Sequence, residues 1–140
     1  MSWSAQVVTG EVDADHLQFE LDLGDGGRVT GSPGAFGLAA SNGEEYVVLT
    51  VAREYGTIAV VVQVLDAEPA VDPSWDAAVE FSVHTGESRS SRSNGVPVWI
   101  YGFAGAGAIA VPVPSGVDAR VRYVVLGVPG VSRIGVLLVV

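Results

Sequence analysis

The chain contains no cysteine and no lysine. Without cysteine it has no disulfide, no thiolate metal site and no cysteine nucleophile. Without lysine, all seven positive charges are arginine; they stand against sixteen acids, for a formal net charge of −9. His16 and His84 are its only histidines. The opening residues 1–13 carry no basic segment followed by an apolar one, so no signal peptide is expected and the expected location is the cytoplasm. No run approaches the length of a membrane span: Phe103 to Val113 is apolar but short, rich in glycine and broken by Pro112. No window shows sustained helical periodicity.

The charge is unevenly spread. Residues 1–70 hold eleven acids against two arginines, a balance of −9, whereas residues 71–140 hold five of each. An acidic surface repels phosphate, which argues against nucleic-acid binding, and it attracts basic proteins. The plain alternative is that the charge keeps an otherwise apolar chain soluble.

At 140 residues the chain is one domain, large enough to bury a core without staples. It reads as β throughout. Tyr46 to Leu65 contains two apolar, β-branched runs around a polar break at Arg53-Glu54-Tyr55-Gly56, the pattern of a central hairpin. The second run is apolar at both parities, which places it mid-sheet with both faces covered. Leu17 to Leu23 alternates, with Leu17, Phe19, Leu21 and Leu23 inward and Gln18, Glu20 and Asp22 outward, as in a half-exposed strand. Further strands are expected at Trp3 to Val8, Trp75 to His84, Val96 to Phe103, Ala108 to Val113, Ala119 to Val128 and Ile134 to Val140, with shorter ones near Arg28 and Phe36. An acidic link follows the first of these, and Thr85 to Gly95 reads as a mobile, Ser-rich loop. Turn signals lie at Gly24-Asp25-Gly26-Gly27, Asn42-Gly43, Pro114-Ser115-Gly116 and Pro129-Gly130.

About nine strands predict a single antiparallel β-sandwich over residues 1–140, with a closed β-barrel as the alternative. The expected core is Phe19, Leu21, Tyr46, Val48, Ile58, Val60, Val62, Trp75, Val79, Phe81, Trp99, Val121, Val124 and Leu138.

Candidate chemistry is sparse. Asp13, Asp15 and His16 stand close in sequence, and His84 could join them at a metal, but no ligand spacing such as HExxH is present and a solvated loop explains them equally. Neither a metal nor a cofactor is assigned. Asp22 to Gly27 lacks the acid ladder and closing Glu of a calcium loop, and its Asp and Gly are what a hairpin turn needs. Gly102 to Ala108 is Gly-rich, but no Lys follows and no helix opens behind it, so it reads as a bend and not a phosphate cradle. No G-x-S-x-G elbow occurs. Glu80, Ser82 and His84 share one strand face by period, as do Arg120 and Arg122. These arginines either pair with Glu80 or Asp76 on a neighbouring strand or form a carboxylate- or phosphate-reading face.

Trp75-Asp76-Ala77-Ala78-Val79-Glu80-Phe81-Ser82, Pro69 and Pro114-Ser115-Gly116-Val117-Asp118-Ala119-Arg120-Val121-Arg122 together resemble a group of small bacterial all-β proteins, common in actinobacteria. In those, a W-[ED]-x-x-V-E strand precedes a turn of the form P-x-G-x-Y-R-V-R. The resemblance covers the C-terminal half; Ala119 replaces the aromatic before Arg120, and Tyr123 onwards replaces a polar tail. It implies a β-sandwich and supplies no activity.

Three functional readings follow. The first is a non-catalytic protein-binding module, of inhibitor or immunity type, presenting Glu11, Asp13, Asp15 and Glu20 to a basic partner. The second is a structural subunit that self-associates through an exposed edge at Gly135 to Val140. The third is a small-ligand binder or enzyme at Glu80, His84, Arg120 and Arg122.

Overall fold

The computed structural model describes residues 6–15, 18–31, 39–41, 45–50, 55–67, 70, 77–89, 95–102, 108–126 and 133–140. Of these, 13–15, 39–41, 55–56, 77, 126 and 133 are described by their backbone alone. There is no helix among them. Eleven strands run in the order β1 (Gln6–Asp15), β2 (Gln18–Asp22), β3 (Arg28–Val29), β4 (Ala39–Ser41), β5 (Tyr46–Thr50), β6 (Tyr55–Leu65), β7 (Ala77–His84), β8 (Val98–Gly102), β9 (Ala108–Val111), β10 (Asp118–Leu126) and β11 (Arg133–Val139).

The strands form two layers. The first sheet has the order β3-β7-β10-β11-β6-β1 and the second β4-β5-β2-β8-β9. The layers meet at one corner, where Asp15 of β1 pairs with Gln18 of β2. Among the described residues all pairings are antiparallel except β11 with β6. The sheet does not close on itself, so the molecule is the expected all-β sandwich and not a barrel.

The core lies between the layers. The first sheet contributes Val12, Ile58, Val60, Val62, Val64, Phe81, Val121, Tyr123, Ile134, Val136 and Leu138, and the second Phe19, Leu21, Val47, Leu49, Val98, Ile100 and Ile109. Phe19 meets Tyr123 edge to face with centroids 5.9 Å apart, and a Cβ added at Gly10 would come within 2.9 Å of the Ile109 side chain. Gly10 therefore marks a close approach of the two layers, where a larger residue would make the Ile109 side chain shift.

Several expectations change. The two runs of Tyr46 to Leu65 do not pair. β5 lies between β2 and β4, while β6 lies between β1 and β11 in the other sheet. Of the proposed turn at Arg53-Glu54-Tyr55-Gly56, Tyr55 and Gly56 instead open β6, paired with Asp15 and Ala14 of β1; residues 51–54 lie outside the described residues, as do Trp75 and Asn42-Gly43. β6 is mid-sheet as expected, but it buries one face only: Thr57 and Ala59 are exposed. β-Branched residues suit the pleat on either face, so apolar residues at both parities do not establish two-sided burial.

The same ambiguity inverts the phase of β5 and β8. Tyr46, Val48 and Trp99 are half-buried on the outer face, and Val47, Leu49, Val98 and Ile100 fill the core. Register explains the choice: Tyr46 and Trp99 lie opposite Asp22, and Val48 lies opposite Glu20. The acids fix that face as the outer one. Val124 is buried, but at the opposite parity to the core residues Val121, Tyr123 and Val125.

The first strand does not end at Val8. It continues through the acidic link to Asp15, paired residue by residue with β6. The C-terminal strand β11 is no edge; β10 and β6 flank it on both sides.

Candidate functional site

Two polar surfaces emerge, one on the outer face of each sheet. On the first, β7 and β10 pair so that Arg122 stands opposite Glu80, Arg120 opposite Ser82, and Asp118 opposite His84. Strand alternation sends these side chains outward while Phe81, Val83, Ala119 and Val121 enter the core. Arg122 Nε donates to Glu80 Oε1 at 2.7 Å, and Arg120 Nη2 lies 3.5 Å from Glu80 Oε2. The hydrogen bond from Arg122 pulls the Glu80 carboxyl below its ordinary pKa. Arg120 Nη1 also donates to Ser82 Oγ at 3.0 Å, and His84 Nδ1 lies 2.8 Å from Asp118 Oδ1. Glu80, His84, Arg120 and Arg122 thus share a surface as expected, and the arginines make the expected salt bridge. The arrangement is a cross-strand ion-pair network. Ser82 is engaged by Arg120, and no hydrogen bond joins Ser82 to His84 among the described residues, so a nucleophile–base pair is not assembled.

The second surface was only partly legible. Glu20 and Asp22 project from the outer face of β2, where they were expected to be solvated, yet they are only 7% and 1% exposed. β2 is flanked on both sides, by β5 and β8, and the neighbouring Tyr46, Trp99 and Tyr101 occupy the same face. Glu20 is therefore not a freely exposed member of an acidic face. It also lies on a different sheet from Glu11, which is exposed on β1. Asp13 and Asp15 occupy β1 positions whose side chains lie outside the described ones, and His16 lies outside altogether, so the metal grouping Asp13, Asp15 and His16 does too.

Arg89 organises this second surface. It sits on the connection that leads from β7 in one sheet to β8 in the other. Its Nε donates to Asp22 Oδ2 and its Nη2 to Asp22 Oδ1, each at 3.0 Å. Nη1 donates to Asp25 Oδ1 at 2.6 Å and Nη2 to Glu45 Oε1 at 3.0 Å. The guanidinium carbon lies 5.1 Å from the centre of the Tyr46 ring. These partners push the Arg89 pKa upward, the Asp22 hydrogen bond foremost. The backbone amide of Gly26, followed by Arg89, lowers the Glu45 carboxyl.

Backbone geometry builds the rest. Gly24 and Gly26 take φ of 88° and 78°, which lets the β2–β3 turn fold tightly. Gly24 N–H then donates to Asp22 Oδ1 at 3.0 Å and Gly26 N–H to Glu45 Oε2 at 2.6 Å. Asp25 and Glu87 exchange two backbone hydrogen bonds, each 2.8 Å, and Gly86 N–H reaches the Leu23 carbonyl. Residues 85–89, expected to be mobile, are tied down by these contacts.

Beside the Arg89 cluster, the Tyr101 hydroxyl donates to Glu20 Oε1 at 3.0 Å. Burial raises the Glu20 carboxyl pKa, against the lowering effect of Tyr101 and with a smaller push from Asp22. Burial likewise raises the Tyr101 hydroxyl, assisted by Glu20. Asp22, Asp25 and Glu45 thus gather around Arg89, with Glu20 one step along β2. Sequence reasoning missed this grouping because Arg89 lies 67 residues from Asp22 and 44 from Glu45.

The fold and this surface define a small two-layer all-β protein with an acidic, aromatic-lined outer face. Two solved structures share the fold from end to end. One is ComJ from Bacillus subtilis, described as an inhibitor of the DNA-degrading activity of NucA; it superposes with a TM-score of 0.64 at 13% identity, over 99% of this chain and 96% of its own. The other is the crocagin biosynthetic gene J protein, with a TM-score of 0.62 at 13% identity over 98% of both chains. At such identity the likeness establishes the fold alone. No family model matches the chain, and no curated protein matches it.

Proposed function

We propose that the chain is a non-catalytic, inhibitor-type module that binds a basic protein in the cytoplasm of the producing cell. The observation that carries this reading is the end-to-end fold likeness to ComJ, an inhibitor that acts on another protein. The formal charge of −9 supports it. Proteins that handle DNA meet a polyanion and carry positive charge, so an acidic module is complementary to that class of partner. The exposed acids that support this reading are Glu11 on β1, and Asp25 and Glu87 on the two chain segments that pair beside Arg89; Asp13 and Asp15 share β1 with Glu11. Self-association through β11 loses its motive, because that strand is paired on both sides.

The test is capture of partners from a native lysate at low and high salt, followed by association kinetics. Charge steering fades as the Debye length falls from about 8 Å at physiological ionic strength to about 3 Å at 1 M. Reversal at exposed acids, Glu11→Lys with Glu87→Lys, should slow association far more than it speeds dissociation. A partner whose on-rate ignores both salt and charge reversal would leave the acids a role in solubility only.

A further inference from the structure

The outer face of the second sheet carries one recognition chemistry twice. In one half the chain supplies its own cation: the Arg89 guanidinium takes both oxygens of Asp22 and lies over the Tyr46 ring. The other half lies one step along β2. There Glu20 stands between Val48 of β5 and Tyr101 of β8, with Trp99 on the same face of β8. Glu20 is more than nine-tenths buried, yet only one of its oxygens is engaged, by the Tyr101 hydroxyl. Among the described residues nothing donates to Oε2. Buried carboxylate oxygens are ordinarily satisfied, so one lacking a donor calls for a group from outside.

We infer that Glu20, flanked by Tyr101 and Trp99, is the anchor for a single arginine side chain of the basic partner. The inference rests on the protein-binding reading above and assigns it a contact point. Arginine fits better than lysine. Its planar guanidinium stacks on aromatic rings, is weakly hydrated and donates through a fixed fork, whereas an ammonium surrenders a tight hydration shell on entering so buried a place. Arg89 shows that this face already accepts a guanidinium between a carboxylate and a tyrosine. Asp25, which is 61% exposed, and Glu45 stand beside it as a rim that draws the cation in.

The probe is N-acetyl-argininamide, with N-acetyl-citrullinamide as the uncharged isostere, titrated into the ¹⁵N-labelled protein. Saturable shifts of the Trp99 indole N–H and of the β2 and β8 amides with arginine, and none with citrulline, are the expected result. Glu20→Gln keeps an acceptor for Tyr101 and should fold; it should weaken arginine binding by about tenfold, the loss of one charge-assisted hydrogen bond. Asp66→Asn, at an exposed acid just beyond β6, should leave it unchanged. Shifts confined to Asp25, Glu45 and Glu87, an equal response to citrulline, or undiminished binding by Glu20→Gln would each overturn the inference, and the wild-type titration decides even if the variant fails to fold. Finding no basic partner in the lysate would sink the protein-binding reading and leave this titration standing. A basic partner indifferent to Glu20→Gln would sink only the anchor.

Discussion

The Tyr123 hydroxyl donates to the Thr50 carbonyl at 2.7 Å, joining β10 of one sheet to β5 of the other. Tyr123 is fully buried, and burial alone holds its hydroxyl protonated well above the ordinary tyrosine range. The bond fixes the spacing of the layers at the point where Phe19 packs edge to face on the same ring. Tyr123→Phe retains the ring and loses the donor, leaving the Thr50 carbonyl without this partner. It should cost about 1–2 kcal/mol, whereas Tyr123→Ala, which also opens a cavity, should cost about 3–5 kcal/mol. Urea denaturation of the two variants measures both, and a Tyr123→Phe protein as stable as wild type would show that water replaces the bond.

Arg89 joins three carboxylates to the connection between the sheets, and Asp22 depends on it most. At 1% exposure Asp22 would be left a buried charge with one cation removed. Arg89→Ala should therefore destabilise by about 3 kcal/mol or more, in the range for breaking a buried pair. Arg89→Lys should restore only part of this, because an ammonium cannot span Asp22, Asp25 and Glu45 with a fixed fork. Combining Arg89→Ala with Asp22→Asn should cost less than the sum of the single changes. Strict additivity in that double-mutant cycle would show that the two residues act independently.

The sequence made the all-β sandwich and much of its core legible because period-two alternation and Gly or Asn turns report strands directly. Phe19, Leu21, Ile58, Val60, Val62, Phe81 and Leu138 are buried as their patterns imply. Pairing was less legible. Tyr46 to Thr50 and the following run look like a hairpin, but neither records which strand it will lie against, and both parities of β5 are apolar. The ion pairs of Arg120 and Arg122 with Glu80 could be anticipated because each partner sits on a strand of clear phase. The Arg89 cluster could not, since it is assembled by a crossover between sheets and by glycines at positive φ, neither of which leaves a periodic trace. That Asp22 and Glu20 face the same side as Tyr46, Trp99 and Tyr101 follows only from the register of β5 and β8 on β2.

Deleting Leu137 to Val140 should unfold the protein. These residues complete a strand hydrogen-bonded on both sides, and Leu138 lies wholly within the core. Leu138→Ala alone should cost about 2–5 kcal/mol. Circular dichroism and light scattering of the truncated chain separate the outcomes: loss of β signal is expected, and a folded, smaller species would mean that β11 is dispensable and serves an interface instead.

The pH dependence should contain two opposing contributions. Glu80 and Glu45 are held below their ordinary value near 4.5, the first by Arg122 and the second by the Gly26 amide. A carboxylate depressed by folding contributes stability that is present above its unfolded value and is lost as pH falls through the folded one, so these groups weaken the protein below about pH 4.5. Glu20 has the opposite sign. Burial raises its carboxyl above 4.5, so the folded state binds a proton that the unfolded chain has released. Stability then declines as pH rises from about 4.5 through the raised value, and the penalty remains at neutral pH. Glu20→Gln removes the titrating group while keeping an acceptor for Tyr101. The variant should gain stability relative to wild type at pH 7, and the gain should shrink towards pH 4.5. Urea midpoints for both proteins across pH 4 to 8 measure the difference directly. A difference that stays constant over that range would show that Glu20 titrates alike in the folded and unfolded chain.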